Sequence, residues 1–344
     1  MLDKVHTAKS KELSKLNDPF GRHINYIRLS VTDRCDFRCQ YCMSEDMQFL
    51  PKSEVLTIEE LIRLSNGFID RGIKRIRLTG GEPLVRRGIL DLVKALGEHV
   101  ARGKLDEVTL TTNGSQLEKY ADDLYKAGMR RINVSLDTLD SDKFREITRR
   151  GDLAKVLRGI DAARTAGLEV KANAVAVKGV NDSEFNALLK FCLDREMGLT
   201  LIEAMPMGEI DGNRNDQFYP LTAALKTLEK SWDLTPSEHK TGGPAQYYNI
   251  AGHAAKLGMI SPLTNNFCAS CNRVRVTCTG QIYLCLGREE HIDLRQALRS
   301  SDNDSALHDA IDAALAQKPE GHLFDEAHKD ELPATSRHMN VTGG

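Results

Sequence analysis

Two groups of three cysteines are the residues of this sequence best suited to carry chemistry. Cys35, Cys39 and Cys42 fall within the stretch "CDFRCQYC". No further Cys or His follows Cys42 locally, so this group offers three ligands where a structural zinc site needs four. Three thiolates can instead hold three irons of a [4Fe–4S] cluster and leave the fourth iron open. The spacing therefore predicts a cluster whose open iron binds a substrate or a cofactor.

The second cysteine group lies near the other end of the chain, in "CASCNRVRVTCTGQIYLC". Its four cysteines would by themselves suit a zinc site. The alternation in "NRVRVTC" puts Cys278 on the apolar side of a strand, which is typical of a buried thiol. Cys268, Cys271 and Cys285 remain, and we expect them to form a second set of three thiolates with an open iron.

The composition limits the class of protein. The chain has 344 residues and a formal net charge of −2, which fits one large α/β domain with an extension and disfavours a general nucleic-acid binder. No apolar run is long enough to span a bilayer, and the N-terminal stretch lacks the apolar segment of a signal peptide. The clustered cysteines point to metal rather than to disulfides. We therefore expect a cytoplasmic protein that needs no membrane.

Six β-rich runs alternate with helical patterns over the first two thirds of the chain. The runs are "INYIRLSV", "KRIRLT", "EVTLTT", "RINVSLD", "LEVKANAV" and "LTLIEA". Amphipathic stretches such as "TIEELIRLSNGFIDRG" separate them, and this alternation predicts a parallel sheet. After about Asp211 the alternation stops, and further helices are expected near residues 221–231 and 301–315.

The strands themselves have one polar and one apolar face. Arg28, Arg77, Thr111, Ser135 and Lys171 each alternate with apolar neighbours. A parallel strand that is buried on both faces would read as a continuous apolar run. We therefore predict a curved sheet with a polar concave side, an incomplete (β/α)6 TIM-like barrel over residues 21–215. A flexible lead-in (1–20) precedes it, and a C-terminal region (216–344) carries the second cluster.

The first cysteine motif resembles that of the radical S-adenosylmethionine (SAM) superfamily. It has the form C-x3-C-x2-C, it follows the first strand, and "TGGEP" at the end of the second strand looks like the superfamily's glycine-rich element. The resemblance implies that SAM chelates the open iron and is cleaved to a 5′-deoxyadenosyl radical. It also implies SAM contacts from Tyr41, Gly81, Ser135 and Met205.

Residues 18–344 resemble the GTP 3′,8-cyclase family, also called molybdenum cofactor biosynthesis protein A. The landmarks are the two cysteine groups, "IRLTGGEPLVRR", "LTTNG", "RRINVSLDTLD" and the terminal Gly-Gly. The resemblance implies that the second cluster binds the guanine base. The radical made at the first cluster would abstract the ribose 3′ hydrogen, and the C3′ radical would attack guanine C8 to give 3′,8-cyclo-7,8-dihydro-GTP.

The same resemblance assigns the substrate contacts, and no P-loop motif is present as another way to hold a triphosphate. The implied GTP-binding residues are Arg28, Arg77, Thr111, Lys171, Arg273, Val274 and Arg275. The role of the neighbouring Arg75 is left open. Gly343 and Gly344 are expected to thread into the active site, where they would act in the catalytic step.

The implied partners are GTP, an electron donor, the next enzyme of the molybdopterin pathway and a second copy of the chain in a homodimer. One alternative is a peptide-modifying radical SAM enzyme with an auxiliary cluster, although such auxiliary domains usually carry more cysteines. Another is a zinc-binding adaptor, which would contain no iron. Asp36 and Ser44 depart from the commoner asparagine and proline of the first motif, and we expect little effect because they are not ligands.

Overall fold

A computed structural model describes residues 16–208, 217–324 and 333–343. The six predicted strands are all present: β1 Tyr26–Ser30, β2 Arg75–Thr79, β3 Glu107–Thr112, β4 Arg131–Ser135, β5 Glu169–Ala176 and β6 Gly198–Glu203. The helices of this part are α1 Ile58–Asp70, α2 Ile89–Ala101, α3 Leu117–Lys126, α4 Ser141–Thr148, α5 Leu153–Thr165 and α6 Phe185–Leu193. The predicted alternation of strands and helices is therefore confirmed.

The C-terminal part contains more strands than the sequence pattern indicates. Its strands are β7 Leu234–Ser237, β8 Gln246–Ile250, β9 His253–Ile260, β10 Arg273–Val276, β11 Gln281–Tyr283 and β12 His291–Asp293. Its helices are α7 Leu221–Leu228, α8 Leu294–Ser300, α9 Ser305–Leu315 and α10 Met339–Thr342. The two helices expected near residues 221–231 and 301–315 correspond to α7 and α9.

All these strands form one sheet of the described residues, in the order β12-β11-β10-β1-β2-β3-β4-β5-β6-β9-β8-β7. Strand β10 pairs in parallel with β1, and β9 pairs in parallel with β6. The parallel part thus extends beyond the six predicted strands. Both added strands cover an edge that would otherwise leave unpaired backbone groups. Strands β9 and β10 each belong to an antiparallel hairpin. The alternation of strands and helices in the sequence therefore does not predict them.

The helices begin and end at recognisable residues. Thr57 and Glu60 form a capping box at the start of α1, in which each side chain accepts a hydrogen bond from the other's backbone N–H. Gly72 follows α1 and Gly128 follows α3, both with positive φ angles of 96° and 99°. This left-handed conformation satisfies the last carbonyl groups of a helix and favours glycine. The helices therefore stop where the sheet needs the next strand.

The two-faced character of the strands decides where the core and the cavity lie. Ile27, Leu29, Ile76 and Leu78 are almost fully buried and pack beneath the helices. The alternate positions project to the other face and border a large cavity. The sheet therefore curves around a polar interior, as the alternation predicts.

Candidate active site

Both cysteine groups border the same cavity. Cys35, Cys39 and Cys42 lie in the loop after β1, at the carboxyl end of the parallel strands. Cys268 and Cys271 precede β10, which runs parallel to β1, and Cys285 follows the antiparallel β11. These connections put the second group at the amino end of the strands. The cavity therefore has a set of three thiols at each of two opposite ends.

The first group sits in a tightly turned loop. The Cys42 N–H donates to the Cys39 carbonyl at 2.9 Å, and the Phe37 N–H donates to Cys35 Sγ at 3.4 Å. Phe37 anchors the loop in the core through an edge contact with Phe144. Burial and nearby negative charge raise the pKa of the Cys35 and Cys39 thiols. Bonding to a metal cluster would favour the thiolate form of both residues.

Asp36 ties this loop to the end of β3, a role that sequence reasoning missed. Its carboxylate accepts hydrogen bonds from Asn113 Nδ2 at 2.7 Å and from Ser115 Oγ at 2.6 Å. Asn113 Nδ2 also lies 3.8 Å from Cys35 Sγ. Asp36 therefore holds the loop in place, whereas the expectation that the departure from asparagine has little effect stays a prediction. The available signal was its position beside Cys35 together with the polar "TTNGS" that ends β3.

The glycine-rich element packs first against the protein's own backbone. A Cβ on Gly80 would collide with the Thr32 carbonyl, and a Cβ on Gly81 with the Arg34 carbonyl. Gly81 borders the cavity as well. The fully buried Glu82 accepts from the Asn113 N–H at 2.7 Å and from the Leu84 N–H at 2.9 Å. Burial raises the Glu82 pKa to about 7. The glycines thus let the ends of β1 and β2 come together.

The other residues assigned to SAM by resemblance lie at the same end of the cavity. Tyr41, Ser135 and Met205 all border it. The Tyr41 hydroxyl donates to Asp137 at 2.7 Å, and Asp137 also accepts from the Val175 N–H at 2.8 Å. Burial raises the pKa of Tyr41 and raises that of Asp137 to about 6. The tyrosine ring is therefore fixed beside the first cysteine group.

Cations surround the second cysteine group. Arg22 donates to the carbonyls of Cys268 at 2.8 Å and Pro319 at 2.6 Å, and the buried Lys318 donates to the Leu284 carbonyl. Burial alone would raise the pKa of Cys271, but Lys318 and Arg273 outweigh it and lower that pKa. The electrostatic surroundings therefore favour a thiolate at Cys271, whereas burial raises the pKa of Cys285.

Cys278 lies apart from the second group, as the alternation predicts. It is 2% exposed and does not border the cavity, whereas Cys268, Cys271 and Cys285 do. Burial raises its pKa to about 12. Its environment suits a neutral thiol in the core and not a ligand.

A row of arginines crosses the cavity between the two cysteine groups. Arg28 on β1 lies between Arg77 on β2 and Arg275 on β10 in the strand register. Burial and the neighbouring guanidinium groups lower the pKa of Arg28, and burial with the nearby Arg273 lowers that of Arg275 to about 9. Like charges that converge in a buried space favour the binding of an anion. The row therefore suits a polyanionic ligand.

The remaining residues assigned to GTP by resemblance fall into two groups. Arg273, Thr111 and Lys171 border the cavity, and Arg273 lies 5.8 Å from the rings of both Tyr26 and Phe267. Val274 also borders the cavity, but its side chain is 1% exposed and packs in the core. The sequence leaves the role of Arg75 open. In the structure Arg75 forms ion pairs with Asp106 at 3.3 Å and with Glu107 at 3.7 Å.

Several polar atoms of the cavity wall lack a protein partner within the described ranges. Thr111 Oγ1, Asn173 Oδ1 and Arg273 Nε are buried without a hydrogen bond. Each belongs to a residue that borders the cavity. Buried polar groups are normally satisfied, so these atoms indicate positions where a polar ligand or water binds.

The C-terminal segment lies against the cavity, which Met339 borders. The Met339 N–H donates to the Cys42 carbonyl at 3.3 Å, and Arg275 Nη1 donates to the Gly343 carbonyl at 2.7 Å. Gly343 has a φ of 72°, and a Cβ there would overlap Thr79. The segment thus links the first cysteine group with the arginine row. Gly344 lies outside the described residues.

The thiols fit clusters better than single ions. No group of three His, Cys, Asp or Glu side chains within residues 16–208, 217–324 and 333–343 converges tightly enough for one metal ion. A [4Fe–4S] cluster needs no such convergence, because each thiolate binds a different iron. Three thiols around one end of an enclosed cavity therefore fit the cluster.

Comparison with known proteins identifies the family. Residues 29–192 match the Radical SAM superfamily model, and residues 197–324 match the Molybdenum Cofactor Synthesis C model. The GTP 3′,8-cyclase of Rhizobium leguminosarum bv. trifolii is 58% identical over 95% of this chain and 94% of its own length. That of Agrobacterium fabrum is 57% identical over 98% of this chain and 97% of its own. The chain belongs to the GTP 3′,8-cyclase family.

A solved structure shares the fold of this member of the GTP 3′,8-cyclase family. The crystal structure of Streptococcus suis SuiB bound to S-adenosylmethionine has a TM-score of 0.63 and 16% identity, and the match covers 92% of this chain and 77% of SuiB. At this identity the likeness concerns the fold alone. The shared fold confirms the partial barrel.

None of the helices in the part of the chain that is described has the length and apolarity required to cross a bilayer.

Proposed function

We propose that this protein is a radical SAM GTP 3′,8-cyclase. It converts GTP to (8S)-3′,8-cyclo-7,8-dihydroguanosine 5′-triphosphate and cleaves SAM to 5′-deoxyadenosine and methionine, an early step of molybdenum cofactor biosynthesis. One observation carries the proposal: a single cavity has three thiols at each end and buried arginines between them. A radical made at one end can then reach a nucleotide held from the other without crossing bulk water.

At the first end, Cys35, Cys39 and Cys42 hold a [4Fe–4S] cluster that, with SAM bound, supplies the one-electron cleavage forming the 5′-deoxyadenosyl radical. The protein's part is to orient SAM. Tyr41, whose hydroxyl is fixed on Asp137, Ser135 and Met205 border the space beside these cysteines. The backbone of Gly81 also borders the cavity.

At the second end, Cys268, Cys271 and Cys285 hold the other [4Fe–4S] cluster, and the guanine base binds beside it. Arg28, Arg77, Arg273 and Arg275 bind the triphosphate and ribose. Guanidinium groups suit this task because they remain charged and present several donors to phosphate oxygens. Thr111, Lys171 and the backbone of Val274 complete the nucleotide site, consistent with the unpaired Thr111 hydroxyl within the described chain.

The terminal glycines complete the site. The Gly343 carbonyl accepts from Arg275, so the tail holds one of the arginines that face the nucleotide. We assign to Gly343 and Gly344 the positioning of catalytic groups for the radical step. The remaining components of the proposal are an electron donor for SAM cleavage, transfer of the product to the next enzyme of the molybdopterin pathway, a homodimeric assembly and a cytoplasmic location.

Anaerobic turnover with labelled substrate tests the proposal. The cluster-loaded protein is incubated with reductant, SAM and GTP that carries deuterium at C3′. We expect the deuterium in 5′-deoxyadenosine and a cyclised isomer of GTP as the nucleotide product. Deuterium retained in the nucleotide, or cleavage of SAM without any cyclised product, would overturn the proposed reaction.

A further inference from the structure

Tyr247 on β8 makes a contact that the assigned GTP residues do not explain. It is 5% exposed and borders the cavity. Lys171 Nζ donates to the Tyr247 hydroxyl at 3.2 Å, and the same hydroxyl lies 3.2 Å from Thr241 Oγ1. The Gly243 N–H in turn donates to Thr241 Oγ1 at 3.2 Å. A chain of hydrogen bonds thus joins a buried lysine to a loop.

Two glycines allow Lys171 and Tyr247 to meet across two intervening strands. Lys171 on β5 is in register with Gly198 on β6, and Tyr247 is in register with Gly258 on β9. A Cβ on Gly258 would come within 3.1 Å of the Tyr247 ring, and one on Gly198 within 3.4 Å of Lys171 Cγ. A side chain at position 258 would crowd the Tyr247 ring, and one at position 198 would fill the space beside Lys171 Cγ. The two glycines therefore leave room for this contact.

The loop after β7 closes this corner of the cavity. Thr241, Gly243, Pro244 and Ala245 border the cavity. The ring of His239 makes an edge contact with Tyr247 at 4.8 Å between centroids. The loop is therefore anchored to the sheet through the same tyrosine that holds Lys171.

In the strand order of the sheet, the arginine row lies between Lys171 and the strand that follows the second cysteine group. The row starts at β10, beside that group, and crosses β1 and β2, whereas Lys171 is on β5. Burial and the positive charges of Arg77 and Arg131 lower the Lys171 pKa to about 7, so an anion beside it would favour its charged form. A nucleotide whose base binds beside the second group, as the proposed function requires, would cross the arginine row and direct its phosphates toward β5.

We propose that Tyr247 is a positioning residue that holds the Lys171 ammonium group and the Thr241–Ala245 loop around the terminal phosphate of the nucleotide, and thereby sets the preference for a triphosphate over a diphosphate. This inference rests on the proposed function. Neither Tyr247 nor Thr241 belongs to the residues assigned to GTP by resemblance. The hydroxyl acts through Lys171 and Thr241, so its loss should affect the last phosphate and not the base or ribose.

The test compares binding of GTP and GDP to cluster-loaded Tyr247→Phe under anaerobic conditions. We expect the Kd of GTP to rise about five- to tenfold, as for the net loss of one ordinary hydrogen bond, while the Kd of GDP changes less than twofold. Tyr248→Phe is the matched control, because Tyr248 is the adjacent residue of β8 and does not border the cavity. It should leave both constants unchanged.

Thr241→Val provides a second variant if Tyr247→Phe does not fold, and it should weaken GTP binding in the same selective way. An unchanged ratio of the two constants in a folded variant, or equal losses for GTP and GDP, would refute the role of Tyr247. Failure of the wild-type protein to cyclise GTP would instead refute the proposed function. The two failures are therefore distinguishable.

Discussion

The two cysteine groups have opposite electrostatic surroundings although both belong to one cavity. Around the first group lie the carboxyl groups of Glu82, Asp36 and Asp137, and burial raises the pKa values of Cys35 and Cys39. Around the second group lie the cations Lys318, Arg273 and Arg22, which lower the pKa of Cys271. Equal sets of three thiols are thus placed in regions of unequal charge.

The difference matches the two ligands that the proposed reaction requires. SAM carries a sulfonium and an ammonium group, and a region with carboxylates favours such cations. GTP carries several negative charges, which a region with buried arginines and lysine favours. The charge distribution therefore favours SAM at the first end of the cavity and GTP nearer the second, although both ends have three thiols. Four predictions test this division of roles.

Loss of a thiol at either end should have the largest effect, and the two ends should differ in what is lost. Cys35→Ala, Cys39→Ala or Cys42→Ala should abolish reductive cleavage of SAM while roughly four irons stay bound at the other end. Cys268→Ala should abolish GTP cyclisation but leave the first cluster able to cleave SAM. Iron and sulfide analysis together with 5′-deoxyadenosine measurement separates the cases. Formation of 5′-deoxyadenosine by Cys35→Ala would contradict the assignment.

The C-terminal tail links the first cysteine group with the arginine row, so its removal should uncouple SAM cleavage from reaction of the nucleotide. Deletion of Gly343 and Gly344 should leave both clusters, the melting temperature and GTP affinity nearly intact, while cyclised product falls by an order of magnitude or more. Gly343→Ala should act similarly, because its Cβ would overlap Thr79 and its φ of 72° disfavours a side chain. The measurement is anaerobic turnover with product and 5′-deoxyadenosine quantified together. Wild-type product yield from the truncated chain would show that the tail is only a chain end.

Sequence reasoning reached the strands and the cavity lining because both depend on local alternation. Arg28, Arg77 and Lys171 could be placed on one face from the period of two residues alone. The thiol sets could be separated from Cys278 in the same way. These inferences needed no knowledge of which strands are neighbours.

Sequence reasoning could not find the contacts that depend on strand order. Strands β9 and β10 join the parallel sheet from distant parts of the chain, and the meeting of Lys171 with Tyr247 follows from that order. The link between Asp36 and Ser115 likewise joins loops that the sequence separates widely. Long-range pairings of this kind leave no periodic signal in a single sequence.

Replacement of Lys318 should change the reduction potential of the second cluster and leave that of the first cluster unchanged. It is 3% exposed and donates to the carbonyl of Leu284, the residue before Cys285. Lys318→Met should lower the reduction potential of the second cluster by something on the order of 50 mV, because reduction then adds negative charge with one nearby cation fewer. Redox titration followed by electron paramagnetic resonance measures both clusters in one sample. Lys318→Arg keeps the charge and should restore most of the potential, whereas equal shifts at both clusters would contradict a local effect.

Cys278 provides the smallest effect and a control for the second thiol set. The residue is 2% exposed, lies outside the cavity and has a raised pKa, as a neutral core thiol should. Cys278→Ser would bury a hydroxyl in an apolar site and should destabilise the protein by about 1–3 kcal/mol, with the second cluster and its iron retained. Cys285→Ser should do the reverse, losing that cluster's iron at little cost to the rest of the fold. Thermal unfolding and iron analysis of both variants decide between them. Loss of the second cluster's iron from Cys278→Ser, with Cys285→Ser harmless, would mean that Cys278 is the third ligand and that its buried position in the turn after β10 does not exclude a thiolate.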